Sequence, residues 1–222
     1  MALDFPAAGA ALWRLYDATG IRPEYALSSL WVESSFNPAA DNGAGYYGLN
    51  QENGGYLSQN GIDPDDYKTW PASAQIDHVV SPSWRSMIAS VGQVPHSGAR
   101  LEQMNFLPAT LKTTRSLTDT VTAAPSAYYR DNAAAFDPLR SGKITVQGVA
   151  NFVSRSIPHI QSAIAQTYAL RPSEAPKDPV YGTDFPSAAL SNGWSAGEWL
   201  LFLAAAGITT VTAANVLTRK RR

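Results

Sequence analysis

Trp31-Val32-Glu33-Ser34-Ser35-Phe36-Asn37-Pro38 closes one helical stretch, and Gly45-Tyr46-Tyr47-Gly48-Leu49-Asn50-Gln51 follows in the loop behind it. Upstream, Arg22-Pro23-Glu24 reads as a helix start, with Pro23 in the first turn, where its missing N–H is not needed. Tyr25, Leu27, Leu30 and Trp31 supply the apolar positions. The pattern runs to Ser34 or Ser35, and Asn37-Pro38 is expected to end the helix, because the residue before a proline avoids the helical region. Glu33 therefore falls in the last turn of a mostly buried helix. Helix C-termini favour cations, so a carboxyl group placed there points to a group held for use. Walled by Trp31, Phe36 and nearby tyrosines, its ionised form is disfavoured and its pKa is expected to rise.

Outward from this segment the pattern stays helical. An apolar side of Leu12, Trp13, Leu15 and Tyr16 predicts a helix over 6–19, stopped by Gly20. Residues 41–60 are a Gly- and Asn-rich loop with no room for a long helix or strand. Helical patterns return over 72–90 and 98–106, and two more lie within 125–157, joined by a turn at 137–142. No solenoid-length repeat is present. These elements define a mainly α domain over 1–170. Residues 171–193 hold Pro172, Pro176, Pro179, Pro186, Gly182 and Gly193, and read as an irregular linker. Residues 194–222 form a third zone.

The quoted segments, taken together, resemble the Glu-Ser…Gly-Leu-Met-Gln signature of the soluble lytic transglycosylases and goose-type lysozymes. Glu33 and Gly48 stand fifteen positions apart, the interval of that family. The resemblance implies a lysozyme-like helical fold and cleavage of the MurNAc–GlcNAc bond in peptidoglycan glycan strands. It assigns Glu33 as the catalytic acid/base, and Ser34, Gly48, Leu49, Asn50 and Gln51 as substrate-binding positions. Asn50 stands where the family usually has Met, and Tyr46 where it often has Ala. Met104-Asn105 resembles the family's Tyr-Asn motif, with Asn105 expected to bond the sugar or the glutamate. Tyr128 and Tyr129 are expected to fill the missing tyrosine role near Glu33. Simple hydrolysis normally uses a second carboxylate, and the nearest in sequence is Asp41. Its direction is not fixed by the sequence, so transglycosylation by the single glutamate is favoured, with hydrolysis left open.

Composition narrows the alternatives. A formal net charge of −1 gives no basic field for nucleic acid. With no cysteine, disulfides and thiolate zinc sites are excluded. His78, His96 and His159 lack metal-ligand spacing, and no metal or cofactor is implied. Asp137, Gly142 and Ile144 fall at calcium-loop offsets, but Leu139 and Gly148 stand where carboxylates are needed. Residues 199–218 carry no charge, enough length to cross a bilayer, and are followed by four basic residues at 219–222. A C-terminal transmembrane helix with a lipid partner is expected. The first residues lack a basic signal-peptide start. The expected setting is therefore a membrane-associated phage virion protein, alongside other virion proteins, that opens the wall as the phage penetrates. The alternative setting is the bacterial cell envelope. The competing function is an inactive structural or glycan-binding virion protein on the same fold.

Overall fold

The structure, a computed structural model, describes residues 4–175, and the chain there is mainly helical. The membrane stretch at 199–218 and most of the linker lie outside the described residues. Among the described residues, no helix is long and apolar enough to cross a membrane.

Two N-terminal helices behave as their sequence asks. α1 spans Phe5–Thr19 and stops at Gly20, whose left-handed φ of 77° lets its N–H return to the Tyr16 carbonyl at 2.7 Å. α2 spans Pro23–Ser34. Its end at Ser34 is where the apolar pattern runs out. Ser35 and Phe36 both take left-handed φ values, 52° and 62°, and they end the helix ahead of Asn37-Pro38.

The loop after α2 is more ordered than its composition suggests. β1 (Tyr46–Tyr47) pairs antiparallel with β2 (Glu52–Asn53), Tyr47 opposite Glu52. Short helices α3 (Gly54–Gln59) and α4 (Pro64–Tyr67) follow. Leu57, Tyr67 and Val79 form a small core of their own beneath this hairpin, with Tyr47, Tyr56 and Trp70 around it.

Three segments make one continuous helical run: α5 (Ala72–Gln75), a π turn at Ile76–Val80, and α6 (Ser81–Val91). Pro82 cannot donate the bond that an α-helix would send to His78, and the wider turn lies just before it. α7 (Gly98–Phe106) is the central buried helix, capped by Ser97, whose hydroxyl accepts from the Arg100 N–H. Beyond it come a 3-10 turn (Pro108–Lys112), β3 (Thr120–Ala123), α8 (Ala127–Phe136), β4 (Lys143–Thr145), α9 (Val146–Ser154) and α10 (Ile157–Ala169). β3 and β4 pair antiparallel.

α2 is the hub of the packing. It lies against α1, α7, α9 and α10, while α7 is also covered by α9. Leu15, Leu30, Leu101, Met104, Val149 and Ile160 meet in the core. Each such buried side chain is worth roughly 1.5–3 kcal/mol of transfer free energy. The start of the linker is docked rather than free: Arg171 grips Asp17 with two bonds of 2.7 and 2.6 Å and lies over the Trp13 ring.

Candidate active site

Glu33 sits where α2 breaks. The two left-handed residues that follow it are not glycine, and such backbone costs on the order of 1–2 kcal/mol per residue. Three contacts hold the turn. The Ser35 N–H reaches the Trp31 carbonyl at 2.7 Å, the Asn37 N–H reaches Ser34 at 3.0 Å, and the Phe36 ring meets Phe5 edge-on. Trp31 is fixed from the other side by a stack on His159, with ring centroids 4.4 Å apart.

Two further carboxyl groups converge on Glu33. Glu102 comes from α7 and is 4 % exposed; Glu52 comes from β2 and is 6 % exposed. Glu33 itself is only partly buried as a residue, although its carboxyl group is desolvated. Burial pushes the Glu33 pKa well above the ordinary 4.5, and the charge of Glu102, a hydrogen bond with Glu102 and the charge of Glu52 push the same way. Burial also raises Glu102 to about 7, against bonds from Ser29 and Glu33 that favour its ionised form. Glu52 is likewise raised by burial to about 7, against bonds from Asn50 and Ser83.

The polar groups around the cluster form a connected set. The Ser29 hydroxyl, one turn before Glu33 on the same helix face, donates to Glu102 Oε2 at 2.8 Å. Asn105 Nδ2 donates to Ser29 Oγ at 2.9 Å and to Asn50 Oδ1 at 3.0 Å. Asn50 Nδ2 donates to Glu52 Oε1 at 3.0 Å. Trp84 Nε1 donates to Asn105 Oδ1 at 2.8 Å.

One side chain fixes the turn between β1 and β2. Gln75 is fully buried; its Oε1 accepts from the Leu49 N–H at 2.9 Å, and its Nε2 donates to the carbonyls of Pro38 (2.7 Å) and Tyr67 (2.9 Å). Gly48 is required here twice over. Its φ is 73°, and a Cβ would fall 2.4 Å from the Tyr67 ring. The Tyr67 hydroxyl beside it is buried with no hydrogen-bond partner.

The site positions read from the sequence divide sharply. Glu33 and Asn105 enter the cluster. Asn105 bonds Ser29, Asn50 and Trp84 rather than Glu33, so its polar atoms are spent inside the protein. Gly48, Leu49 and Asn50 are buried, with Leu49 wholly in the core; they build the wall instead of lining its surface. The Ser34 hydroxyl turns back to the Leu30 carbonyl at 3.0 Å, and the Gln51 amide to the Gly48 carbonyl at 3.0 Å. Tyr129 is not in the cluster: its hydroxyl donates to Asp137 at 2.9 Å. Tyr128 is 55 % exposed and rests edge-on against Phe106, next to Asn105. Met104 is a core residue. Asp41 is tied to the Gly43 N–H and to Lys68, both of which hold its pKa below the usual range.

Sequence reasoning missed Glu102, Glu52 and Gln75. For Glu102 the signal was its place three residues before Asn105 on one helix, which puts both on the same face. A glutamate beside Leu101 and Met104 also needs a reason to be there. Nothing local marks Glu52.

The Asp137 turn is a closed structural knot. Asp137 accepts from the Ser141 and Gly142 N–H groups, each at 3.0 Å, and from Tyr129. Its twelfth-position Gly148 packs so tightly that a Cβ would lie 2.2 Å from the Phe136 carbonyl oxygen, so a carboxylate side chain does not fit. Among the described residues no group of His, Asp and Glu is arranged to hold a metal ion. In comparisons with known proteins, the chain matches no family model, no curated protein and no solved structure.

Proposed function

We propose that this protein cuts the glycan strands of bacterial peptidoglycan, on a lysozyme-like fold, as a lytic transglycosylase with Glu33 as the acid/base. The observation that carries the reading is the carboxyl cluster at the end of α2. Burial and the charges of Glu102 and Glu52 raise the Glu33 pKa well above its ordinary value, and Glu33 is the one of the three that is not buried as a whole residue. Such a group donates its proton to the leaving glycosidic oxygen. The resulting carboxylate then takes a proton from the sugar's own hydroxyl, whose oxygen closes on the anomeric carbon to give an anhydro end. Glu102 and Glu52 are buried and bonded to protein donors, and Asp41 is paired with Lys68. None of the three is free to activate water, which favours transglycosylation over hydrolysis.

Clearing of purified peptidoglycan by wild type, lost in Glu33→Gln, tests the enzyme. A wild type that clears no better than Glu33→Gln removes this reading, and absence of clearing in both leaves the inactive structural or glycan-binding one. Mass spectrometry of the released fragments should find anhydro ends; reducing ends would make the protein a hydrolase. The proposal extends to its setting: anchorage in lipid through 199–218 and action from a virion during infection. Deleting 194–222 should shift the protein from the membrane fraction to the soluble one, and unchanged partitioning removes the anchor.

A further inference from the structure

An indole N–H can only donate. Trp84 is fully buried, and its N–H points at one amide oxygen, Asn105 Oδ1. That bond decides which end of the Asn105 amide is which. Oδ1 faces Trp84, and the two hydrogens on Nδ2 go to Ser29 and Asn50. Each acceptor passes the direction on. Ser29, having accepted at Oγ, donates its own hydrogen to Glu102. Asn50, having accepted at Oδ1, presents Nδ2 to Glu52. Both arms start at Trp84, run through Asn105, and end on a carboxyl oxygen that must accept. Neither arm can be reversed, because the indole nitrogen at the origin has no lone pair to offer.

We propose that Asn105, oriented by Trp84, is a positioning residue that keeps hydrogen-bond donors on Glu102 and Glu52, favouring their ionised forms and so favouring Glu33 as the holder of the cluster's proton. The catalytic meaning of that proton rests on the function proposed above; the direction of the network does not. The groups facing the cluster are few. Glu102 comes from α7 and Glu52 from β2, with Tyr56 and Tyr67 close to Glu52. On α10, His159 faces Trp31, two residues before Glu33. Once Glu102 and Glu52 ionise, which burial delays to about pH 7, their charge opposes ionisation of Glu33. With Ser29 and Asn50 no longer held in the donating direction, Glu102 and Glu52 take up protons more readily, and Glu33 gives its own up at lower pH.

The test is an NMR titration of the full-length protein with carbon-labelled glutamate carboxyls, assigned through single Gln substitutions. In wild type Glu33 should titrate last of the three. In Asn105→Leu, which at similar volume removes the two bonds that orient Ser29 and Asn50, Glu52 and Glu102 should move up by about one pH unit and Glu33 down. Three titrations unmoved, with an unchanged thermal melt, would overturn the proposal. Trp84→Phe, which drops the N–H and part of the ring volume but keeps an aromatic ring, should shift them in the same directions by less. It decides the matter if Asn105→Leu does not fold, and an unmoved titration there overturns the proposal equally. Neither readout needs activity, so a wild type that fails to cut glycan removes the functional reading without touching this one. If it does cut, the alkaline limb of its pH–rate profile should move to lower pH in Asn105→Leu.

Discussion

The two ends of α2 each bury a glutamate, and they treat it in opposite ways. Glu24 stands in the first turn, where the helix dipole favours an anion. Arg22 reaches its Oε1 at 2.5 Å, and the Tyr168 hydroxyl donates to Oε2. Burial works against the charge on Arg22, but Glu24 and Tyr168 outweigh it and hold the guanidinium above its ordinary range. Glu33 stands in the last turn, where the dipole opposes an anion, and the charges acting on it are those of Glu102 and Glu52, both negative. One residue type on one helix thus serves two purposes. Matched charge makes a structural clamp; like charge and burial make a carboxyl group that keeps its proton.

The strongest way to break this comparison is to neutralise each glutamate in turn. Glu33→Gln should lower glycan cleavage by about 10²–10⁴-fold, the range of a general acid, while the protein still folds. Glu24→Gln should leave the rate per folded molecule at the wild-type level. Equal losses in both variants would show that the two ends do not differ in chemistry.

The next effect is on stability. A carboxyl whose folded pKa exceeds its unfolded value binds its proton more tightly when folded. Its contribution is full below about 4.5 and is lost as pH rises through about 7, the values that apply to Glu52. For Glu52 alone the change is on the order of 3 kcal/mol. Urea melts should therefore show a more stable protein at pH 5 than at pH 8, and a flatter profile in Glu52→Gln. The lowered carboxylates, Asp17 and Asp41 among them, lose their contribution only at more acid pH and do not offset this window. A wild-type profile flat between pH 5 and 8 contradicts the cluster.

Glu24→Gln comes third. Breaking its pair with the half-exposed Arg22 should cost about 2 kcal/mol, less than a fully buried pair. This loss should persist at pH 8, where Glu33→Gln instead stabilises. The smallest effect is expected at Tyr67, whose hydroxyl is buried without a partner. Tyr67→Phe should keep stability or raise it by up to about 1 kcal/mol in thermal melts, since no bond is lost. A clear loss would reveal a bond between this hydroxyl and the cluster.

Much of the fold was legible from local signals. Gly20 stops α1, Pro23 opens α2, and the 98–106 pattern is α7 to the residue. The pattern placed the end of α2 at Ser34 or Ser35, where it falls; what it did not show is the strained turn at Ser35 and Phe36, held by Phe5 from another helix. The hairpin at Tyr46–Asn53 was not visible either. Strands of two residues have no period to read, and Gln75, from α5, holds the turn between them. At the site, Glu33 and Asn105 were singled out by the family resemblance; the structure brings both to one cluster, with Asn105 bonded to Ser29, Asn50 and Trp84 instead of Glu33. Tyr129 was misplaced because a tyrosine's sequence position does not tell which acceptor its hydroxyl will find.

What the chain determined alone is that a glutamate ends a buried helix and that a glycine-rich turn follows at a fixed interval, since both depend on neighbours a few residues apart. What only tertiary structure decided is the company Glu33 keeps. Glu102 lies on another helix and Glu52 on another strand, and packing α2 against α7 is what brings two negative groups to a third. The pKa of a carboxyl group depends on burial and on charges within a few ångströms, and neither is a property of sequence distance.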